Sequence, residues 1–284
     1  QPCDEALEWD IRKTIEMGFN MTRKHIKVEP SRWYYHADRL GLMVWQDMVC
    51  GWDAYNSSPD MPFGYIDKLS PLGLAVKVRV DDDRNGGSRT DESREIFRRE
   101  LAQMVEKTSF FPSVVKRIVF NEAWGQFETN SAVDLVNSID STRLINATSG
   151  LNDQRTGDVL DEHQYFQVLK LHEDPAKYRV PAIGEYGGLT HKVKGHEYGA
   201  ADFGYGESGT VEEFKEGVDE KIGTELANVA REGVCAGVYT QIIDVEGETN
   251  GFITYDRKVV KIPVEEVKKI SDKVYKAFDE GINS

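Results

Sequence analysis

The stretch GFNMTRKHIKVEPSRWYYHADRLGLMVWQD (18–47) decides the fold. FNMTRKHI (19–26) reads as a strand, SRWYYHADRL (31–40) as a helix and GLMVWQDM (41–48) as a second strand, each joined by a few polar residues. A strand, a helix and a strand linked so briefly form a parallel βα unit. Upstream, residues 4–17 carry Leu7, Ile11 and Ile15 at helical spacing with Gly18 just past them, so a helix comes first. Downstream, residues 50–92 are rich in Gly, Pro, Ser and Asp and include DDDRNGGSRTDES (81–93), which predicts a long loop insertion.

The alternation then resumes. A helix is expected near 92–107, a strand at VVKRIVFNE (114–122), a helix near 128–140, and strands at LINATS (144–149), VLDEHQY (159–165) and PAIGEY (181–186). The loop-rich KVKGHEYGAADFGYGESG (192–209) leads to a helix near 211–232, the strand CAGVYTQII (235–243) and a last helix near 263–279. Seven strands alternating with helices predict an α/β protein, a (β/α)8 barrel of which one strand is missing. Because a helix opens the chain, the expected place of that strand is before residue 1, leaving an open edge. On this reading residues 1–284 form one barrel domain.

Composition narrows the function. A net charge of −14, with no dense basic stripe, disfavours a nucleic-acid partner. No run of about 18 apolar residues is present to span a bilayer. Cys3, Cys50 and Cys235 are far apart and read as buried or free thiols, and the six histidines (25, 36, 163, 172, 191, 196) form no HxH or HExxH pair to favour a metal. A metal-dependent barrel hydrolase is therefore the weakest reading, and neither metal nor cofactor is expected.

Two carboxylates end strands of this series: Glu122 in RIVFNE and Glu185 in AIGE, each followed by an aromatic and a small residue. In a barrel, strand ends converge on one mouth, so carboxylates distant in sequence meet there. Cleavage of a glycosidic bond with retention needs two carboxyl groups about 5 Å apart, one to protonate the leaving oxygen and one to attack the anomeric carbon.

The string IVFNEAWGQF (118–127) resembles the strand-four motif of family 2 glycoside hydrolases, and AIGEYGG (182–188) resembles their strand-seven nucleophile motif. Residues 18–47 are similar to the family's strand-two to strand-three segment, and YTQIIDVEGETNGFITYDRKVVK (239–261) to its strand eight and exit loop. The likeness runs from about residue 4 to 276. It implies Glu122 as acid/base, Glu185 as nucleophile, and Asn121 as the amide holding a sugar hydroxyl. It further implies that Arg23 keeps the nucleophile ionised, that Tyr165 donates to it, and that Asp47, His163, Trp124 and Gln241 line the sugar site. Trp45 and Trp52 are candidates for stacking on a sugar, with core packing as the plainer reading.

Three departures bear on substrate. His25 lies two residues after Arg23 where the family has its histidine three after, so strand alternation would turn it away. VYTQIID (238–244) lacks the family's strand-eight tryptophan, leaving Tyr239 or Gln241 in its place. Family glucuronidases carry Asn-x-Lys before the exit loop to grip the sugar carboxylate; here ETNGFITYDR (248–257) has no lysine, which favours a neutral β-hexoside such as a galactoside. The resemblance also implies β-sandwich domains ahead of the barrel and an extracytoplasmic, glycan-degrading role. A carbohydrate-binding module that has lost catalysis is the rival expectation, resting on the truncated barrel.

Overall fold

The computed structural model describes residues 3–50, 89–122, 125–150, 153–172, 174, 177–199 and 203–283. Most of the expected insertion at 50–92 thus lies outside the described residues. Chain contacts group into two compact units: Gln1–Ile11, Met21–Glu162 and Glu173–Val180 form the first, and Arg12–Asn20, His163–His172 and Pro181–Ser284 the second. The chain passes between them within α1 (Asp4–Glu16) and within β5 (Val159–Gln164).

The first unit is a parallel sheet of β1 (Met21–Lys24), β2 (Met43–Asp47), β3 (Val114–Asn121) and β4 (Leu144–Ser149), neighbours in the order of the sequence. Between them come α2 (Ser31–Leu40), α3 (Asp91–Thr108) and α4 (Thr129–Ile139). α2 ends at Gly41 in the left-handed region (φ 78°), whose N–H returns to Ala37 O at 2.9 Å; glycine reaches that conformation without the Cβ penalty other residues meet. Phe97, Leu101 and Met104 of α3 and Val133 and Val136 of α4 belong to one buried apolar cluster with Val119, Phe120 and Ile145 of the strands. Phe97 and Phe120 stack at 5.1 Å. Arg117 on β3 is fully buried and meets Asp140, just past α4, at 2.9 Å.

Lys116, also on β3, sits directly opposite Trp45 of β2 in the strand register, with its ammonium over that indole ring. Trp45 is therefore a core residue, 6% exposed, held by a cation–π contact rather than a sugar platform. Asp161 of β5 lies 3.8 Å from the ammonium and accepts from Asn146 Nδ2 at 2.5 Å and Ser149 Oγ at 2.8 Å. Burial dominates, and the Lys116 pKa falls from 10.5 to about 7 despite the Asp161 charge.

The second unit is built around β6 (Val180–Gly187) and β9 (Ala236–Thr240), parallel neighbours whose register slips between Ile183 and Tyr186. Leu189–Thr190 (β7) and Gly206–Glu207 (β8) add a short two-stranded ladder. Its helices are α5 (Val211–Val218), a π-helical turn at Asp219–Leu226, α6 (Ala227–Glu232) and α7 (Val264–Ile282). The helix expected at 211–232 is thus continuous but widened in its middle, a change of hydrogen-bond register that apolar spacing does not report. Thr210 starts it with a capping box, its hydroxyl accepting from Glu213 N at 3.1 Å. Tyr186, Tyr239 and Phe252 form one aromatic core, Tyr239 on Phe252 at 4.8 Å and against Tyr186 at 5.6 Å.

The described residues show an α/β protein with parallel sheets. The seven strands expected from sequence are all present, with ends shifted by a few residues.

Lys116 yields a pH test. The unfolded chain holds that proton up to about pH 10.5 and the folded chain only to about 7, so between these values the unfolded state binds more protons. Stability should rise with pH there, by about 1.4 kcal/mol per unit from this group, and be flat below 7. Urea unfolding from pH 7 to 10 should show that slope lost in Lys116→Met; an identical slope in both proteins would refute the assignment.

Candidate active site

Each unit carries its own cluster of the residues singled out above. In the first, β1, β2 and β3 end together on a buried guanidinium. Arg23 donates to Asp47 from Nε (3.0 and 3.1 Å) and from Nη2 (2.8 Å), and Nη2 also donates to Asn121 Oδ1 at 2.7 Å. The Arg23 and Asp47 side chains are 2% and 1% exposed. Burial alone would raise the Asp47 carboxyl, but Arg23 and His25 outweigh it and hold it below the usual range. Because a guanidinium only donates, it fixes the Asn121 amide with its oxygen toward Arg23 and its NH2 turned away.

Glu122 follows Asn121 at the end of β3. Its N–H still bonds Ser149 O of β4 at 2.8 Å, yet its own backbone is left-handed, φ 47°. A non-glycine residue there stores backbone strain of order 1–3 kcal/mol, tolerated where the surroundings over-determine it. Trp124 and Trp52 lie outside the described residues.

His25 corrects an expectation. Residues two apart on a strand point the same way, and His25, just past the end of β1, has its Nδ1 3.5 Å from Asp47 Oδ2, on the same carboxylate Arg23 holds.

In the second unit, Glu185 occupies the slipped stretch of β6, and such irregularities re-aim side chains at strand ends. Tyr165 donates to Glu185 Oε2 at 2.7 Å and lies 3.0 Å from Thr240 Oγ1. His163 Nδ1 is 3.3 Å from the same carboxylate oxygen. Burial first, then the Glu185 charge, pushes the Tyr165 phenol well above its ordinary value, so it remains a protonated donor at every working pH. Tyr239 belongs to the core, 5% exposed, so of the two strand-eight candidates Gln241 is the one left, next in sequence to Thr240, which meets Tyr165. Its Nε2 donates to Asn250 Oδ1 at 2.8 Å and to Glu248 Oε2 at 3.0 Å. Sequence reading missed Glu248 and Asn250 as partners of Gln241, because only the turn between β9 and the exit loop brings them together.

No family model and no curated protein sequence matches the chain. Among solved structures it resembles an FMN-binding β-glucuronidase from Facaelibacterium prausnitzii L2-6 (TM-score 0.64, 15% identity, 95% of this chain and 41% of that one). It also resembles a family 2 β-galacturonidase from Eisenbergiella tayi bound to galacturonate (0.63, 14%, 96% and 48%). A third is a β-D-glucuronidase of Dictyoglomus thermophilum (0.63, 15%, 95% and 48%). The chain spans less than half the length of each. At these identities the likeness establishes the fold, which is that of part of these glycosidases, as the motifs led one to expect.

Removing Asp47 would leave Arg23 buried and short of its counter-charge. Asp47→Ala should lower unfolding stability by about 3–5 kcal/mol, the usual cost of breaking a buried pair. A urea midpoint unmoved by the substitution would show that this pair does not hold the three strand ends.

Proposed function

We propose that the chain is the catalytic region of a retaining β-glycosidase related to glycoside hydrolase family 2. The observation that carries this reading is the Glu185 carboxylate at a strand end, which accepts from the Tyr165 hydroxyl and lies 3.3 Å from His163 Nδ1. A hydroxyl donating to a carboxylate favours its ionised form, and an ionised carboxylate is what a nucleophile must be. Glu122 supplies the second carboxyl group. In the first step it protonates the departing oxygen while Glu185 bonds to the anomeric carbon; in the second it takes a proton from water, which displaces Glu185. Asn121, oriented by Arg23, offers its NH2 to a sugar hydroxyl, and Asp47 holds Arg23 in place. Trp124, next to the acid/base in sequence, is assigned to the sugar site by the motif alone. The reading requires the two carboxyl groups to stand about 5 Å apart in the working protein, and calls for neither metal nor cofactor. The substrate is a glycoside or oligosaccharide.

For the sugar, we infer a neutral β-hexoside, a galactoside first. The support is Glu248 beside Gln241: a carboxylate there repels a uronate and accepts from a hydroxyl. Asn250 adds a donor, since its buried Nδ2 has no hydrogen-bond partner among the described residues. A uronide is the second reading, favoured by the names of the solved glucuronidases and galacturonidase.

The test is hydrolysis of nitrophenyl β-galactoside, glucoside, mannoside, glucuronide and galacturonide by the protein at its natural full length. Galactoside turnover that disappears in Glu185→Gln is expected. Uronide turnover in its place would overturn the sugar assignment, and retained activity in Glu185→Gln would overturn the nucleophile.

A further inference from the structure

Beside Glu185, the second unit carries four contiguous aromatic rings, of which the proposed reaction uses only Tyr165, and that through its hydroxyl. Tyr205 stacks face to face on Tyr165, with centroids 3.6 Å apart and planes within 7°. Phe166 and Phe203 each set an edge against Tyr205 at 5.4 Å. Unlike Tyr186, Tyr239 and Phe252 of the core, Phe166 is 61% and Phe203 54% exposed. Exposed rings in a group, rather than scattered singly, mark a surface that binds something.

Three features point to what binds. The group is continuous with the proposed site on two sides: Tyr165 bonds Glu185 at one end, and Phe203 pairs as a β-bridge with Glu248, the partner of Gln241, at the other. The platform is also held in place. Phe203 N donates to Gly247 O and Tyr205 N to Gly188 O, both at 2.9 Å, and a Cβ on Gly188, where φ is +71°, would come within 2.4 Å of the Tyr205 ring. Finally, the rings are aromatic and flat, which suits the C–H face of a pyranose or an aryl ring and fixes it at little conformational cost.

We propose that Phe166, Tyr205 and Phe203 form a stacking subsite for the ring that follows the scissile bond, a second sugar or an aryl aglycone. The proposal rests on the glycosidase reading, and the experiment keeps the two apart. Phe166→Ala and Phe203→Ala are changes of exposed side chains. In each, kcat/KM is measured for a β-linked disaccharide, for the nitrophenyl glycoside and for the methyl glycoside of the same sugar. The ratios of the first two to the third should fall about three- to tenfold, as expected for loss of a stacked ring, and the more affected arm names the ring. Ratios unchanged, or all three substrates weakened alike, would overturn the subsite while leaving the glycosidase reading intact. Should the native protein hydrolyse none of them, calorimetric titration with the disaccharide decides: binding weakened in both variants keeps the subsite without the reaction, and binding absent or unaltered ends it.

Discussion

The first unit depends on one buried ion pair. Arg23 and Asp47 are almost wholly shielded from water, and each would be costly to bury alone. Together with Asn121 they join the ends of β1, β2 and β3, so the desolvation cost of the pair is offset only when all three strands are in register. The same contacts orient the Asn121 amide and set the start of the turn that carries Glu122. A pair of this kind is a poor source of net stability and a good source of geometry. Its worth is in allowing a single arrangement of the strand ends from which Glu122, the proposed acid/base, continues.

Much of this was legible in the sequence. The helix Ser31–Leu40 and the strand Leu144–Ser149 fall where their apolar spacing and turn signals put them, because local period and a terminal glycine decide such elements. Arg23, Asp47 and Asn121 could be singled out as candidate site residues, and so could Tyr165 and Glu185, since each lies at or near a strand end in a recognisable string. Their partners were less accessible. That Arg23 is held by Asp47 depends on a parallel register between β1 and β2, which no single segment encodes. His25 was misplaced because its face was judged against the family's histidine position and not against Arg23, two residues before it and therefore on the same face.

What the sequence hid altogether was long-range side-chain company. Lys116 looks like an ordinary polar residue of an alternating strand, yet it lies buried over Trp45 because the two are register partners. Tyr205 and Phe203 sit in a stretch rich in glycine that reads as featureless loop, and only the short ladder of β7 and β8 brings them to Tyr165. The π-helical turn is similarly silent, since widening a helix by one residue leaves its apolar stripe almost unchanged.

The two carboxylates assigned to the chemistry are positioned by different devices, and the difference suits their proposed roles. Glu122 is aimed by its backbone, a left-handed residue at a strand end whose N–H remains in the sheet. Glu185 is aimed by a slip in the ladder and then engaged through its oxygen by Tyr165 and His163. A group that must gain and lose a proton in alternate steps is best positioned from behind, through the chain. A group that must stay ionised is best positioned from in front, by donors that favour the charge. If the aromatic platform then seats the leaving ring, one residue, Tyr165, serves both ends: its hydroxyl holds the nucleophile and its ring carries the stack. Loss of that ring would therefore be felt in bond cleavage and in the choice of leaving group at once, whereas Phe166 and Phe203 touch only the second.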